Sequence, residues 1–293
     1  PCEEKRIEYF EDKFLIYKIE STKTNYDALV WAKPSQSIVI IPPFIKIIMN
    51  GAFSECSSLT QITIPSSVTS IDKYAFNKCS SLTQISFEIP SSVTSIGDNA
   101  FTECSSLTQI KIPSSVNSIG DFVFEKCSSL TEIRIPFSVT SIGDSTFSGC
   151  SSLVKIVIPS SLTSIGDNAF KECSSLTQIT IPSSVTSIGE FAFSECLSLT
   201  QIIIPSSLTS IGNYSFSYCK SLTQITIPSS VTSIEECAFS ECSSLTQITF
   251  EIPSSVTLIG EFAFSKCSSL TEILIPSSVT SIGDFSFSEC SSL

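Results

Sequence analysis

One stretch recurs along most of this chain and dictates how it can fold. From Cys173 to Glu195 it reads Cys-Ser-Ser-Leu-Thr-Gln-Ile-Thr-Ile-Pro-Ser-Ser-Val-Thr-Ser-Ile-Gly-Glu-Phe-Ala-Phe-Ser-Glu. Cysteines close the copies at 56, 79, 104, 127, 150, 173, 196, 219, 242, 267 and 290, in steps of 23 except for two of 25. The apolar set of a copy is Leu176, Ile179, Ile181, Val185, Ile188, Ala192, Phe193 and the closing Cys196. So few side chains cannot offset the conformational entropy lost in ordering the whole copy. Each copy needs neighbours above and below to cover its faces and share hydrogen bonds, which describes a solenoid.

Within a copy, Leu-x-x-Ile-x-Ile-Pro predicts a short strand, alternating in and out and ended by a proline that has no N–H for the ladder. Ser-Ser makes a corner, and the β-branched Val-Thr-Ser-Ile suggests a second brief strand. Glycine then turns the chain, except where Met49, Asp72 or Glu235 stands in its place, and Asp72 and Glu235 suggest local loosening. The next residue is usually acidic (Asp98, Asp121, Asp144, Asp167, Glu190, Glu236, Glu261, Asp284). It stands where an N-cap belongs, ahead of one helical turn in which Ala169, Phe170 and Cys173 share a face. The long steps carry inserted Phe87-Glu88 and Phe250-Glu251. Two residues preserve strand parity, so Ile85, Phe87 and Ile89 are expected inward, with Ser86 and Glu88 outward. Stacked copies give parallel sheets with right-handed crossovers, and the phenylalanines from Phe53 to Phe287 line up as an interior spine.

Residues 1–36 do not repeat. Phe14–Ile19 and Tyr26–Trp31 read as two strands joined by the polar turn Ser21–Asn25, after a charged run at Glu3, Glu4, Lys5 and Arg6. The expected organisation is an N-terminal cap over 1–36, with Trp31 in its core, and a solenoid over 37–293. The chain begins at Pro1 and stops at Leu293 inside a copy, as a fragment of a longer protein would.

The pattern Leu-x-x-Ile-x-Ile-Pro-x-x-Val-x-x-Ile-Gly-x-x-Ala-Phe-x-x-Cys resembles the BspA-like class of leucine-rich repeats over residues 38–293. The resemblance implies a curved α/β leucine-rich-repeat solenoid. It also implies a surface protein of bacteria or protozoan parasites that acts in adhesion, binding host matrix or cell-surface proteins.

Composition narrows the chemistry. A net charge of −12 and a pI near 4.5 argue against nucleic acid, which needs a basic face. No apolar run is long enough to span a bilayer. Histidine is absent, which removes the usual general base and the commonest metal ligand. Acids repeated evenly along the chain supply no unique catalytic dyad. The thirteen cysteines contain no Cys-x-x-Cys pair. Those of the repeat are expected as a buried column of free thiols, leaving Cys2 and Cys237 as the more reactive ones. The acidic column reads as capping rather than as a calcium site, because one carboxylate per copy falls short of the oxygen count calcium needs. Asn213-Tyr214-Ser215 is a glycosylation sequon. No catalytic, metal or cofactor set emerges.

What remains is a broad face. The outward positions of the first strands form a column of mostly Gln (Gln61, Gln84, Gln109) and another of mostly Thr (Thr63, Thr180). Uniformity breaks at Lys111, Glu132, Arg134 and Lys155, a basic cluster that would attract an acidic partner. Lys111, Glu132, Arg134, Lys155, Gln178 and Ile203 are therefore the candidate partner-binding residues. The leading expectation is a non-enzymatic protein-binding module, at a cell surface or secreted. The alternative is an intracellular scaffold or regulatory subunit on the same fold, suggested by unpaired cysteines.

Overall fold

The computed structural model describes residues 6–10, 14–19, 26–32 and 37–293. Cys2, the charges at Glu3, Glu4 and Lys5, and the turn expected at Ser21–Asn25 lie outside them. The chain divides into two compact units, residues 1–139 and 140–293.

The first unit opens with strands β1 (Arg6–Phe10), β2 (Phe14–Ile19) and β3 (Tyr26–Ala32), paired antiparallel in sequence. The repeats start with β4 (Ile38–Ile40) and β5 (Ile45–Ile48), and β3 pairs parallel with β5. From there each coil adds one strand to each of two parallel sheets. One sheet runs from β4 through Gln61–Ile64, Gln84–Phe87 and Gln109–Ile110 to Glu132–Arg134, with Ile62, Ile85, Ile110 and Ile133 aligned. The other runs from β5 through Ser70–Ile71 and Ser95–Ile96 to Ser118–Ile119. Trp31 is 42% exposed rather than in the core of a cap; it lies on β3, where Ala28, Leu29 and Ala32 are the residues turned inward.

The second unit repeats the design. Its first strands are Lys155–Val157, Gln178–Thr180, Gln201–Ile203, Gln224–Ile227, Gln247–Phe250 and Glu272–Ile273. Its second strands are two-residue pieces such as Ser164–Ile165 and Ser187–Ile188, paired in register. Parallel pairing follows from the repeat itself, because each coil returns to the same edge in the same direction.

The third side of the coil departs from expectation. There is no helix among the described residues. Two residues per coil, one before Ala and one before Cys, mostly take the left-handed conformation; for Asn168 and Glu172 φ is 55° and 60°. Tight turns such as Cys173 N–H to Phe170 O (3.2 Å) close locally. Alternate amides point along the stack: Asn168 N–H donates to Glu190 O, Phe170 to Ala192 O and Glu172 to Ser194 O, at 2.8–2.9 Å. A helical turn would spend those amides inside its own coil, whereas here they form a third ladder to the next one. With no helical turn to cap, carboxylates of the acidic column bond to the next coil. Asp144 Oδ1 accepts the backbone N–H of Asp167 (2.9 Å), and Asp167 Oδ1 that of Glu190 (2.8 Å), one coil on.

Identical positions stack on one another. In the first unit Phe53, Phe76, Phe101 and Phe124 lie ring over ring at 4.8–5.6 Å and within 10° of parallel. In the second, the spine runs from Phe147 to Phe287 at 5.2–5.6 Å. This geometry gives offset stacking in addition to burial. The cysteines do more than fill space. Cys196 Sγ donates to Phe170 O, Cys219 to Phe193 O and Cys242 to Phe216 O, at 3.2–3.3 Å, so each thiol satisfies a buried carbonyl of the preceding coil. Threonine hydroxyls do the same at the surface, as Thr131 to Thr108 O (3.2 Å) and Thr246 to Thr223 O (3.0 Å).

Two further expectations change. Ile89 and Ile252 are 82% and 93% exposed. The backbone pairing of Gln84–Phe87 with its neighbour ends after Glu88 N–H reaches Ile64 O, because the next donor in that ladder, Ser66 N–H, goes to the Glu88 side chain instead of its carbonyl. The lengthened coils instead swing out, and Glu88 and Glu251 accept the backbone N–H of Ser66 and Ser229 (2.9 and 3.0 Å). Asp72 and Glu235 do not loosen their coils. Their amides keep the ladder to Ile48 O and Ile211 O (2.8 and 2.9 Å), and their carboxylates accept from Ser70 and Ser233.

Most of the column glycines are required by close approach. A Cβ on Gly189 would lie 2.5 Å from Asp167 N and 2.6 Å from Gly166 C, whereas one on Gly212 would have nothing nearer than 3.5 Å. Gly189→Ala is expected to cost about 1–3 kcal/mol by overpacking, and Gly212→Ala to be neutral or slightly stabilising. Urea denaturation of the two variants reads the difference; equal midpoints would contradict the packing. The thiol column adds an alkaline sensitivity. Burial pushes the Cys219 thiol up to about 12, and burial with the neighbouring Cys79 does the same for Cys56. A raised folded pKa makes the folded state hold its proton longer. Stability is therefore complete below the ordinary thiol value near about 8.5 and falls as pH rises from there toward the folded values. Denaturation midpoints under reducing conditions should decline across that window, with a shallower slope in Cys219→Ala.

Candidate partner-binding face

Alternation along the first strands sends one set of side chains into the core and the other to solvent. In the first unit Ile110 and Ile133 are buried, so Lys111, Glu132 and Arg134 point outward and are exposed. The pairs Gln109↔Glu132 and Ile110↔Ile133 place Lys111 and Arg134 on neighbouring strands in one outward column. In the second unit Lys155 is exposed on Lys155–Val157. Gln178 and Ile203 lie on paired strands, with Gln178 opposite Gln201 and Ile203, 72% exposed, opposite Thr180. The six candidates thus fall on first-strand faces, three in each unit.

Electrostatics separates this face from the turn side. There Lys73, Lys78, Lys126, Lys171 and Lys266 each have a carboxylate within 4.0 Å. The Lys73 ammonium, 2.6 Å from Asp98, holds that carboxyl below the usual carboxylate range. Lys111, Arg134 and Lys155 enter none of the ion pairs among the described residues. Their charge is available to a partner, while that of the turn-side lysines is largely neutralised within the stack.

A feature of the same face went unread in the sequence. Ile38 and Ile40 are 60% and 81% exposed, with Val39 buried between them. With Gln61, Thr63, Gln84 and Ser86 they line a shallow groove of about 250 Å³. The signal was present: Ile38 and Ile40 occupy the Gln and Thr columns of the first, worn copy.

Other candidates are accounted for internally. A second groove, of about 370 Å³, runs over Ser141–Asp144, Ser164–Asp167 and Ser187–Gly189, but the Asp144 and Asp167 carboxylates in it are committed to backbone N–H groups. Among the described residues no three His, Cys, Asp or Glu side chains converge as metal ligands. Cys237 is buried, and burial raises its thiol pKa, against the expectation of a reactive thiol; Cys2 lies outside the described residues. The Asn213 amide is engaged on both sides, donating to Glu190 and accepting from Glu236 N–H. Among the described residues no helix is long and apolar enough to cross a membrane.

Comparison with known proteins agrees with this architecture. No curated protein sequence matches the chain. A leucine-rich cell-surface protein of Faecalibacterium prausnitzii shares 30% identity over 100% of this chain and 88% of its own, with a TM-score of 0.71. A leucine-rich repeat protein of Bacteroides ovatus shares 27% identity over 97% and 93%, with a TM-score of 0.62. The pneumococcal vaccine antigen PcpA, at 22% identity over 95% and 78% and a TM-score of 0.61, has the same fold. The family model described as the BspA-type leucine-rich repeat region matches residues 30–154, 85–197, 140–251 and 245–293, and the chain belongs to that family.

Proposed function

We propose that this chain is a non-enzymatic binding module, displayed at a cell surface, which engages host matrix or cell-surface proteins through the first-strand faces of its units. The observation that carries the reading is the set of exposed, unpaired cations Lys111, Arg134 and Lys155 on faces built mostly of Gln and Thr. Cations left free in a chain of net charge −12 favour an acidic partner patch and steer its approach. The regular exposed strands supply area for many weak contacts, as protein interfaces require. The likeness to the Faecalibacterium cell-surface protein supports the location. In this reading residues 1–36 act as the N-terminal cap, since β3 pairs with β5 and so covers what would be the open edge of the repeats' sheet.

The second reading, an intracellular scaffold, draws on the free state of every described cysteine. Buried thiols persist in either compartment, so location decides between the two. Staining of intact, unpermeabilised cells is expected to detect the protein; staining only after permeabilisation favours the scaffold. Against immobilised extracellular-matrix proteins, Lys111→Glu/Arg134→Glu/Lys155→Glu should bind at least about tenfold more weakly than the parent chain, on the order of 1.4 kcal/mol. Parent binding should weaken as salt rises. Unchanged binding by the triple variant would remove these residues from the interface.

A further inference from the structure

Resting on that reading, we propose that the first-strand face of the first unit takes one extended partner segment laid across its strands, an apolar side chain seated at Ile38 and Ile40 and acidic side chains set against Lys111 and Arg134. Singly exposed aliphatics need no explanation. These two differ in being adjacent outward residues of one strand and in standing where the following coils carry Gln61 and Thr63. They also line a groove that extends over Gln84 and Ser86 toward the strand carrying Lys111.

The register gives the spacing. Ile40 pairs with Thr63, which pairs with Ser86, and the strand of Lys111 follows, with that of Arg134 beyond it. Three strand steps make about 14 Å and four about 19 Å. An extended chain covers about 3.3–3.6 Å per residue. The apolar residue and the first acid should therefore be about four positions apart, with a second acid one or two positions further.

The occupant is a polypeptide rather than a polyanionic glycan. Glu132 stands beside Arg134 in the outward columns, and the chain as a whole is strongly acidic, so a continuous polyanion meets repulsion between its contacts. The isoleucines give an apolar side chain a place to lose water, which a sulfated sugar does not exploit.

The test uses the full chain and fluorescent synthetic peptides in which one leucine is separated from two adjacent aspartates by one, three or eight serines. Fluorescence anisotropy is expected to show tightest binding at the intermediate spacing, with affinity falling as salt rises. Ile38→Gln/Ile40→Thr and Lys111→Thr/Arg134→Thr install residues that other coils carry at these positions, so both should fold. Each is expected to weaken the best peptide at least fivefold, and only the second to flatten the salt dependence. Equal binding at all spacings, no binding of any peptide, or a heparin oligosaccharide binding as tightly as the best peptide would each overturn the proposal. Binding to whole matrix proteins separates this failure from that of the broader reading. If it needs Lys111 and Arg134 but ignores Ile38→Gln/Ile40→Thr, the partner face stands and the segment across it does not.

Discussion

Everything in each unit follows from hydrogen bonds that join a residue to its equivalent one coil away. On two sides they are parallel sheet ladders, and on the third they are amides such as Phe76 N–H to Ala100 O and Phe193 N–H to Ser215 O, both 2.8 Å. A constant offset forces every side chain to meet its own kind next door. Only certain residues tolerate that. Phenylalanine stacks on phenylalanine, threonine and cysteine donate to a neighbour's carbonyl, and glycine yields its side-chain volume where backbones close to contact. Charges are the difficult case, since a column of like carboxylates repels itself. The first unit meets it by alternating sign at the position before cysteine, where Glu55 faces Lys78 at 3.8 Å and Glu103 faces Lys126 at 4.0 Å. The acidic column of the second unit places backbone N–H donors between successive carboxylates.

That logic explains what the sequence could and could not disclose. Periodicity and alternation were enough to place the strands, the phenylalanine spine and the thiol column, because each depends on which positions are apolar and how far apart they recur. The third side was misread because its left-handed residues include Tyr74, Phe122, Glu172, Phe191 and Lys266 and, among those described, only two Asn (Asn99 and Asn168), and none of the larger ones advertises a positive φ. The conformation is imposed by the neighbouring coil's carbonyl, a tertiary constraint that leaves no local signature. Ile89 was misplaced for a related reason. Parity is preserved by two inserted residues, but a strand continues only while its neighbours offer partners, and the next donor, Ser66 N–H, is taken by the Glu88 side chain.

The same constraint determines where recognition can reside. Interior columns must repeat, so they can encode nothing about a partner. Outward first-strand positions are free to vary, and the proposed partner face rests on their departures: Lys111, Glu132 and Arg134 in one unit, Lys155 and Ile203 in the other. The candidate face was legible only in part, since Ile38 and Ile40 sit in a copy too divergent to be compared column by column until its register was known.

The lengthened coils show how far the scaffold bends before its rules fail. Adding Phe87-Glu88 or Phe250-Glu251 places an aromatic in the inward column, paired with Ile64 or Ile227, and pushes an isoleucine into solvent. The corner that follows the neighbouring proline would leave a backbone N–H without a partner on this side. The inserted glutamate supplies it, at Ser66 in one unit and Ser229 in the other. Two coils far apart in sequence thus reach the same solution, because an insertion survives here only if it preserves strand parity and brings its own hydrogen-bond acceptor.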